Sequence, residues 1–361
     1  MIIQSIELKN FRNYRELKLY FDENTNIFYG DNAQGKTNIL EAVYLSGTTK
    51  SHKGSRDRDM IFFGEEEGHL RTFVKKGEMD YRIDIHLKKS RTKGIAVNGI
   101  PIKKAGELFG IANFVFFSPE DLSIIKQGPG ERRRFLDMEL CQLDKVYLHN
   151  LTNYNRIVVQ RNRLLKDLAL RSDLEETLDV WDMQLAEYGS KIIVGRELFI
   201  RQLSEIISGI HKNLSGGKED LQISYEKNAE EAELYEMIRR NRDRDRKMKT
   251  STVGPHRDDL RFVIDSIDIR KFGSQGQQRT AALSLKLSEI ELVKKIIHDT
   301  PVLLLDDVLS ELDHNRQNYL LNSIHDIQTM ITCTGLDEFV NHRFSINKVF
   351  RVIEGAVWDE N

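Results

Sequence analysis

Cysteine, long apolar runs and net charge are all scarce in this chain of 361 residues. Cys141 and Cys333 are its two cysteines, too few for a disulfide framework and not spaced as metal ligands. No apolar run approaches the ~20 residues that a membrane helix needs, and charged residues occupy the N-terminal segment where a secretion signal would be apolar. These absences predict a cytoplasmic protein with reduced thiols and no membrane partner.

The near-zero net charge excludes a protein that attracts nucleic acid through a global basic field. Lys and Arg number 54 against 56 Asp and Glu, which gives a formal charge of −2. Any contact with a polyanion must therefore be local, and three basic stretches qualify: residues 88–93, 132–134 and 239–249. A solvated charged face is the alternative interpretation of each stretch taken alone.

One stretch matches the phosphate-binding pattern G-x-x-x-x-G-K-[ST] at every defined position, between an apolar tripeptide and a segment with helical spacing. In this pattern the glycines turn backbone N–H groups toward phosphates, Lys36 reaches the β and γ oxygens, and the Thr37 hydroxyl ligates Mg²⁺. We therefore expect ATP with Mg²⁺ to be bound by Gly30, Asp31, Asn32, Ala33, Gln34, Gly35, Lys36, Thr37 and Asn38.

A second apolar run, residues 301–307, ends in two carboxylates. It is typical of a buried parallel strand whose tip presents Asp306 to the metal, although alone it could equally be a core strand with a polar end. Lys36 and Asp306 are 270 positions apart, more than a compact nucleotidase needs. This gap predicts an insertion between two halves of one ATPase core.

The apolar pattern changes twice along the chain. In residues 1–118 apolar and polar residues alternate as they do in strands, and Asn98-Gly99 is a tight-hairpin signal. We expect these residues to form the N-terminal part of an ATPase head, made of a phosphate-loop core and an antiparallel β subdomain. Residues 119–250 have three- and four-residue apolar spacing, which predicts an inserted, mostly helical lobe with an antiparallel helix pair. Residues 251–361 return to strands, so the expected fold is α/β with a mixed sheet.

A loop rich in Gly and Gln opens a long amphipathic stretch before the carboxylate strand. Its Ser274-x-Gly276-Gln277 pattern resembles the signature of ABC-type ATPases, in which a serine and a helix N-terminus bind the triphosphate of a partner subunit. The resemblance implies an ATP-dependent homodimer, and a surface turn before a helix is the alternative. Residues 214–218, Leu-Ser-Gly-Gly-Lys, look more like the usual signature, but strand-like alternation follows them. We interpret them as a loop at a helix end.

Several positions resemble the same class of ATPase but depart from it. Asp307 stands where most members have the glutamate that polarises the attacking water, and its shorter side chain predicts slow hydrolysis. Residues 310–313, Ser-Glu-Leu-Asp, resemble the D-loop at the dimer interface. Cys333 or Thr334 stands near the position of the switch histidine, which leaves the γ-phosphate sensor open. These departures favour an ATPase whose slow hydrolysis times a switch over one that hydrolyses ATP rapidly to drive movement.

Together the motifs resemble the RecF family of bacterial recombination and repair ATPases, which is related to the heads of structural-maintenance-of-chromosomes proteins. Residues 119–137, 254–259 and 304–316 carry the resemblance beside the phosphate loop and the Ser274 loop. It implies an ABC-type ATPase head that dimerises on ATP and binds duplex or gapped DNA with little sequence preference. It also implies weak, DNA-stimulated hydrolysis and cooperation with RecO and RecR in loading RecA at single-strand gaps.

Gln127 marks a departure, because the family usually has glycine there, yet Gln127-Gly128 resembles the Q-loop whose glutamine touches Mg²⁺ and the γ-phosphate. The candidate roles are then three: catalysis by Lys36, Gln127 and Asp307; Mg²⁺ binding by Thr37, Gln127 and Asp306; and nucleotide contacts across the dimer by Ser274, Gly276 and Gln277.

Two rival functions remain at this point. A transport ATPase subunit is disfavoured by the large insertion and by the absence of a switch histidine. A structural head with ATP as a static ligand would show no multiple-turnover phosphate release with DNA.

Overall fold

The computed structural model of this chain describes residues 1–168, 175–336 and 346–360. It divides into two units, the first made of Met1–Asp121 and Glu289–Asn361 and the second of Leu122–Ser288. The first unit therefore contains both the phosphate loop and the distant carboxylate strand, as the 270-residue gap predicts.

An antiparallel sheet of six strands forms one part of the first unit. In spatial order its strands are β2 (Tyr14–Tyr20), β1 (Ile2–Phe11), β4 (Glu67–Lys76), β5 (Met79–Lys88), β6 (Gly94–Val97) and β7 (Ile100–Pro101). Strands β6 and β7 are joined by Asn98 and Gly99, whose φ angles of 52° and 80° are those of a type I′ turn. The predicted hairpin is confirmed.

A second six-stranded sheet carries the predicted nucleotide motifs. Its strands, in spatial order, are β15 (Ala356–Asp359), β14 (Lys348–Ile353), β3 (Thr25–Tyr29), β13 (Thr329–Cys333), β12 (Val302–Asp306) and β8 (Phe114–Phe117). All neighbours pair in parallel except β14 with β15. Every residue of β12 is buried, which confirms the predicted buried parallel strand before Asp306.

Two α-helices of the described residues lie wholly in the first unit, α1 (Lys36–Thr48) and α10 (His314–Ser323). Helix α1 leaves the phosphate loop that follows β3, so the motif has the strand, loop and helix that it requires. Short 3₁₀ turns lie at Asp57–Met60, Ala105–Glu107, Pro119–Asp121, Pro255–Arg257 and Leu309–Glu311.

The second unit is mostly helical. Its helices are α2 (Leu122–Lys126), α3 (Pro129–Leu143), α4 (Lys145–Asp167), α5 (Thr177–Leu214), α6 (Leu234–Arg240), α7 (Arg242–Met248) and α8 (Ile269–Phe272), and α9 (Gln275–Ile297) begins in it and ends in the first unit. Tyr147 and Arg161 of α4 contact Arg196 and Asp182 of α5 respectively, a reversed order that makes the two helices antiparallel, as predicted.

The second unit also contains a sheet that the sequence interpretation assigned elsewhere. Strands β9 (Leu221–Glu226), β10 (Asp259–Ile264) and β11 (Ile267–Asp268) form it, with β10 in the middle. Because β10 pairs along its whole length with β9, residues after 250 belong to the same compact unit as the inserted lobe. The structure thus divides the chain at 121/122 and 288/289, whereas the sequence pattern placed the divisions at 118/119 and 250/251.

Among the helices of the described ranges, none combines the length and the apolar character needed to cross a bilayer.

Candidate functional site

The phosphate loop depends on two glycines that no other residue could replace. Gly30 has a φ of 148°, and a Cβ there would lie 2.3 Å from the carbonyl oxygen of Val352. Gly35, at the N-cap of α1, has a φ of 114° and would drive a Cβ into the side chains of Asn13 and Tyr14. Both positions combine a left-handed backbone with close approach of neighbouring atoms, so the glycines are required by geometry as well as by the motif.

Neighbouring turns hold the loop in place. The Asn13 amide donates to the Gln34 carbonyl at 3.0 Å, and the Tyr14 hydroxyl donates to the Gly35 carbonyl at 3.0 Å. On the other side, the backbone N–H groups of Glu354 and Gly355 donate to the side chain and carbonyl of Gln34. Burial raises the pKa of Tyr14, which keeps its hydroxyl protonated as a donor. Hydrogen bonds to the carbonyl groups of the loop and to the Gln34 side chain therefore hold the loop in place. The N–H groups of the loop are not needed for this support.

Lys36 is buried at the start of α1. Its ammonium group donates to the carbonyl oxygens of Gly30 and Asp31, at 2.5 and 2.8 Å. Burial lowers its pKa, and the charges of Asp307 and Asp306 act in the opposite direction. A cation is thus folded back over the loop and faces the two carboxylates at the end of β12.

Thr37 and Asp306 meet as the metal prediction requires. The Thr37 hydroxyl donates to Asp306 Oδ1 at 2.7 Å, although the two residues are 269 positions apart. The same carboxylate oxygen accepts a bond from the Thr332 hydroxyl at 2.8 Å. Sequence reasoning missed Thr332, because the motif does not reveal that β13 lies between β3 and β12 and brings its end to the same edge.

Asp307 follows directly and is held in a strained conformation. Its φ is 53°, and its N–H donates to the Thr332 hydroxyl at 2.9 Å. Burial raises the pKa of its carboxyl, opposed by a hydrogen bond from Ser310 and by the charge of Lys36. A half-buried carboxylate with a raised pKa beside an anion loop has the character of a general base.

These groups surround one pocket of about 310 Å³. Its lining consists of Asn32, Ala33, Gln34, Gly35, Lys36, Thr37, Asn38, Lys53, Asp306, Asp307 and Thr332. Gly30 and Asp31, also predicted to contact nucleotide, support the loop through their carbonyls and are not among the lining residues. Lys53 is a second cation at this pocket that the motifs did not indicate.

The donor set fits a magnesium-bound triphosphate. The threonine hydroxyl and the aspartate carboxylate are hard oxygen ligands of the kind that Mg²⁺ prefers, and they are already in contact. Lys36 and Lys53 supply positive charge for phosphate oxygens, and α1 directs its N-terminus at the loop. The pocket can therefore hold a polyphosphate, its counter-ion and an attacking water.

The Ser274 turn lies in the second unit, at the N-terminus of α9. Ser274 Oγ accepts from the Gln277 N–H at 3.2 Å, and the Ser274 N–H donates to Gln277 Oε1 at 3.0 Å. This reciprocal pair is a capping box, and it explains why the helix begins here. Ser274 and Gly276 are exposed.

The look-alike motif at residues 214–218 is a loop at a helix end, as interpreted from the sequence. Helix α5 ends at Leu214, the next strand is β9, and Gly216 and Gly217 have φ angles of 64° and 78°. Ser215 bonds within its own loop, since its hydroxyl accepts from the Glu219 N–H at 3.2 Å. No helix follows it, so it lacks the geometry of an anion site.

Gln127 lies exposed between α2 and α3, in the second unit. Its carbonyl accepts from Arg132 at 2.7 Å, and Arg132 also forms a two-point ion pair with Asp259. Arg132 is 3% exposed, so the inclusion of this residue among the DNA-facing candidates is wrong. Its guanidinium is used to join α3 to the end of α2 and to β10.

The switch-histidine position has no histidine equivalent. Cys333 ends β13 and is buried, whereas Thr334 is exposed in the following bend. The residue of this strand that reaches the acidic pair is the preceding Thr332. In the D-loop stretch, Leu309–Glu311 forms a 3₁₀ turn and Asp313 caps α10 through the Arg316 N–H.

Comparisons with known proteins show the family of this chain. The family described as RecF/RecN/SMC N terminal domain matches residues 2–355. A protein of Agathobacter rectalis named DNA replication and repair protein RecF is 66% identical over 357 residues, 99% of each chain. A solved structure of the recombination mediator protein RecF-ATP in the RecFOR pathway is 37% identical, covers 100% of this chain and 98% of that one, and superposes with a TM-score of 0.93.

A more distant similarity concerns the fold alone. The Smc head domain of Pyrococcus furiosus, solved with an extended coiled coil, is 17% identical over 99% of this chain and 95% of that one, with a TM-score of 0.58. The fold is accordingly that of an ABC-type ATPase head, as the motifs predicted.

Proposed function

This chain belongs to the RecF family, and from that membership we propose that it is an ATP-dependent recombination mediator that acts on DNA. The observation that carries the proposal is the meeting of Lys36, Thr37 and Asp306 in one pocket from opposite ends of the sequence. Relatives named for DNA replication and repair, and a relative solved with ATP, support it. On this proposal, ATP binding and hydrolysis switch the protein between two states.

The nucleotide would be held by the loop residues and by the two lysines of the pocket. Thr37 and Asp306 would hold Mg²⁺, which would supply positive charge against the negative charge that develops in phosphoryl transfer. Gln127 remains a proposed further contact to the metal and γ-phosphate. Asp307 is the proposed base that orients and deprotonates water, and its short side chain makes hydrolysis slow and suited to timing.

The exposed Ser274 turn supports the proposal of an ATP-dependent dimer. In the proposal, Ser274, Gly276 and Gln277 at the N-terminus of α9 meet the triphosphate bound by a second copy of the chain. Two nucleotides would then lie between two copies. Because ATP favours the closed pair, any DNA that prefers the closed pair must tighten ATP binding by the same factor.

DNA contact is proposed for the stretch 239–249. In the stretch 88–93, Lys88 pairs with Glu67, Lys89 with Glu66 and Lys93 with Asp57. The later stretch keeps five exposed cations, namely Arg239, Arg240, Arg244, Lys247 and Lys249. Such a surface binds phosphates without sequence preference. Cooperation with RecO and RecR, and loading of RecA at gaps, are proposed from the family and from the pathway named for the solved relative.

Sedimentation velocity tests this function. The wild-type chain should form dimers with ATP and not with ADP or without nucleotide, and gapped DNA should strengthen the ATP-bound dimer. Lys36→Ala should abolish ATP binding and dimers, and Ser274→Arg should abolish dimers alone. Lys103→Ala, an exposed lysine elsewhere in the first unit, is the matched control. Unchanged ATP-dependent dimers in both test variants would contradict the proposal.

A further inference from the structure

The look-alike loop after α5 contacts the Ser274 turn through one acidic residue. Glu219 Oε1 accepts from Gln277 Nε2 at 3.0 Å. Its other oxygen, Oε2, lies 3.1 Å from Nε2 of His211, a fully buried residue of α5. Glu219 thus connects a rigid helix to the first turn of α9.

The connection continues to the signature serine. Gln277 is held at both ends of its side-chain amide, with Nε2 on Glu219 and Oε1 on the Ser274 N–H. Ser274 Oγ in turn accepts from the Gln277 N–H, so its own hydrogen can point away from α9. The other ring nitrogen of His211 lies 2.9 Å from the hydroxyl of Ser284, a buried residue further along α9.

We propose that Glu219 is a positioning residue for the signature turn, a role that rests on the function proposed above. By fixing the Gln277 amide, it orients the Ser274 hydroxyl and the N-terminus of α9 toward a phosphate of the partner copy. Glu219 touches no nucleotide on this proposal. It explains why the Leu-Ser-Gly-Gly-Lys-Glu loop lies where it does although it binds no anion itself.

The expected size of the effect comes from the bond that is lost. A hydrogen bond to a charged group changes an equilibrium by roughly 10- to 100-fold. Glu219→Ala should therefore weaken the ATP-dependent dimer by about that factor. Binding of ATP to the single chain should not change, because the phosphate loop is untouched. Glu219→Gln keeps one acceptor oxygen and should restore most of the dimer affinity.

The experiment measures the dimer dissociation constant with ATP, the ATP affinity of dilute monomer and the thermal midpoint of the full-length chain. Asp220→Ala is the matched control, because its neighbouring carboxylate bonds to Ser208 and Gln222 and not to α9. Glu219→Asp withdraws the carboxylate from Gln277 by one methylene and serves as the test if Glu219→Ala does not fold. A merely structural role would move the thermal midpoint without separating dimer affinity from nucleotide affinity.

The outcomes separate this inference from the function on which it rests. Normal dimers in Glu219→Ala and Glu219→Asp, with none in Ser274→Arg, would overturn the positioning role and leave the composite site standing. Normal dimers in Ser274→Arg as well would overturn both.

A different observation, in the first unit, points to a metal site. Glu67 and His69 are two residues apart in β4 and therefore lie on the same, exposed face of the strand. His86 of β5 lies directly opposite His69. One ligand atom from each of the three lies within 4.8 Å of the others. The two imidazoles stack with centroids 3.9 Å apart, and Glu67 Oε2 is 2.7 Å from His86 Nε2.

The chemistry of these three groups selects a borderline metal over a hard one. Two imidazoles and one carboxylate are the ligand types of Zn²⁺, whereas Mg²⁺ prefers oxygen alone. Tetrahedral zinc with Zn–N of about 2.1 Å separates its ligand atoms by about 3.4 Å, and the three candidate ligand atoms lie within 4.8 Å of one another.

We infer that Glu67, His69 and His86 form a zinc site on the antiparallel sheet, with water completing the coordination. The two strands belong to a continuous ladder, so the backbone already holds the ligands in register. Two lysines, Lys88 at 3.8 Å from Glu67 and Lys9 opposite His69 in the register, weaken the site without occupying a ligand position.

Titration of the intact protein with Zn²⁺, and with Co²⁺ followed by its visible absorption, tests the site. One equivalent should bind, and His69→Ala and His86→Ala should each lose more than about tenfold in affinity, since even outer partners of metal ligands are worth that much. His149→Ala, an exposed histidine of the second unit, should bind as wild type. No binding, or binding that survives both substitutions, would overturn the site.

Discussion

At the scale of single residues, the adjacent Asp306 and Asp307 differ in their contacts and in their backbone conformation. Asp306 shares one oxygen with the hydroxyls of Thr37 and Thr332, which suits a metal ligand. Asp307 has a φ of 53°, a conformation that costs free energy for a residue other than glycine. The strain turns its carboxyl out of the strand direction and into the pocket. We therefore propose different roles for the two adjacent aspartates.

Asp307→Asn should trap the ATP-bound dimer and lower the hydrolysis rate by about 10²- to 10⁴-fold, the contribution of a general base. Burial raises the pKa of Asp307, so wild-type hydrolysis should fall with decreasing pH earlier than an ordinary aspartate would cause, because the base must be ionised. Phosphate release measured against pH gives the hydrolysis rate and its pH dependence, and size-exclusion chromatography with ATP detects the trapped dimer. Asp326→Asn, an exposed aspartate, is the control. Equal rates in both variants would exclude Asp307 as the base.

At the scale of elements, the phosphate loop is part of a packed assembly and not an isolated motif. The turn between β1 and β2 and the turn between β14 and β15 both bond to Gln34. Their strands belong to two different sheets, so the loop is fixed by contacts that the eight-residue motif does not contain. This explains why its carbonyls are satisfied internally.

Gly30→Ala tests this packing. The added Cβ meets the Val352 carbonyl at 2.3 Å in addition to a strained φ, so we expect a stability loss beyond the ~1–3 kcal/mol of backbone strain alone, with loss of ATP binding. Gly64→Ala has a φ of 92° with nothing within 4 Å of the new Cβ, and it isolates the strain. Chemical denaturation compares the two. Equal losses of unfolding free energy in the two variants would mean that the Val352 backbone moves away from the new Cβ at little cost.

The helical lobe contains a fully buried ion cluster. Arg161 of α4 donates to Asp182 of α5 and to Asp245 of α7, each at 2.6 Å, and none of the three exposes more than 1% of its side chain. Arg242 reaches Asp182 as well, at 2.6 Å. Charges that are buried in this way depend on one another.

Asp182→Ala should cost the second unit about 3–5 kcal/mol of unfolding free energy, because it removes one of the two carboxylates that neutralise the buried Arg161 charge. Asp84→Ala removes a carboxylate from ion pairs with Arg71 and Arg82 at the surface of the first unit and should cost at most about 1 kcal/mol. Denaturant unfolding followed by circular dichroism measures both. A small loss in Asp182→Ala would show that water or a rearrangement compensates the arginine.

Prediction from sequence succeeded where chemistry fixes spacing. The phosphate loop, the strand before Asp306 and the Asn98-Gly99 hairpin each follow from local backbone requirements. It missed Thr332 because strand order is not written in any local pattern. It misjudged Arg132 because a basic run looks the same whether its members face solvent or Asp259. It cut the lobe at residue 250 because the pairing of β9 with β10 is a contact between distant segments.

At the scale of the whole molecule, a net charge near zero conceals a local concentration of positive charge. Of the three basic stretches, residues 239–249 keep the most cations exposed, while Arg242 and Arg246 pair with acidic residues of the second unit. Phosphate binding by such a surface releases counter-ions and is therefore sensitive to salt.

The double variant Arg244→Ala with Lys247→Ala tests this surface. It should weaken DNA binding similarly for unrelated sequences and reduce the slope of log affinity against log salt by about 1 for each lost contact. Fluorescence anisotropy with gapped DNA and ATP, at several salt concentrations, gives the slope. Lys103→Ala with Lys126→Ala removes two exposed lysines elsewhere and should leave it unchanged. An unaltered slope in the test variant would move the DNA contact to another surface.

The central claim is that each nucleotide is shared between two copies of the chain, and mixing two defective variants tests it most directly. Lys36→Ala lacks a working phosphate loop and Ser274→Arg lacks a working signature turn, so each alone should neither dimerise with ATP nor hydrolyse it. Their mixture should regain both properties, because a mixed pair combines the intact loop of one chain with the intact turn of the other. A mixture no more active than its separate components would contradict the account.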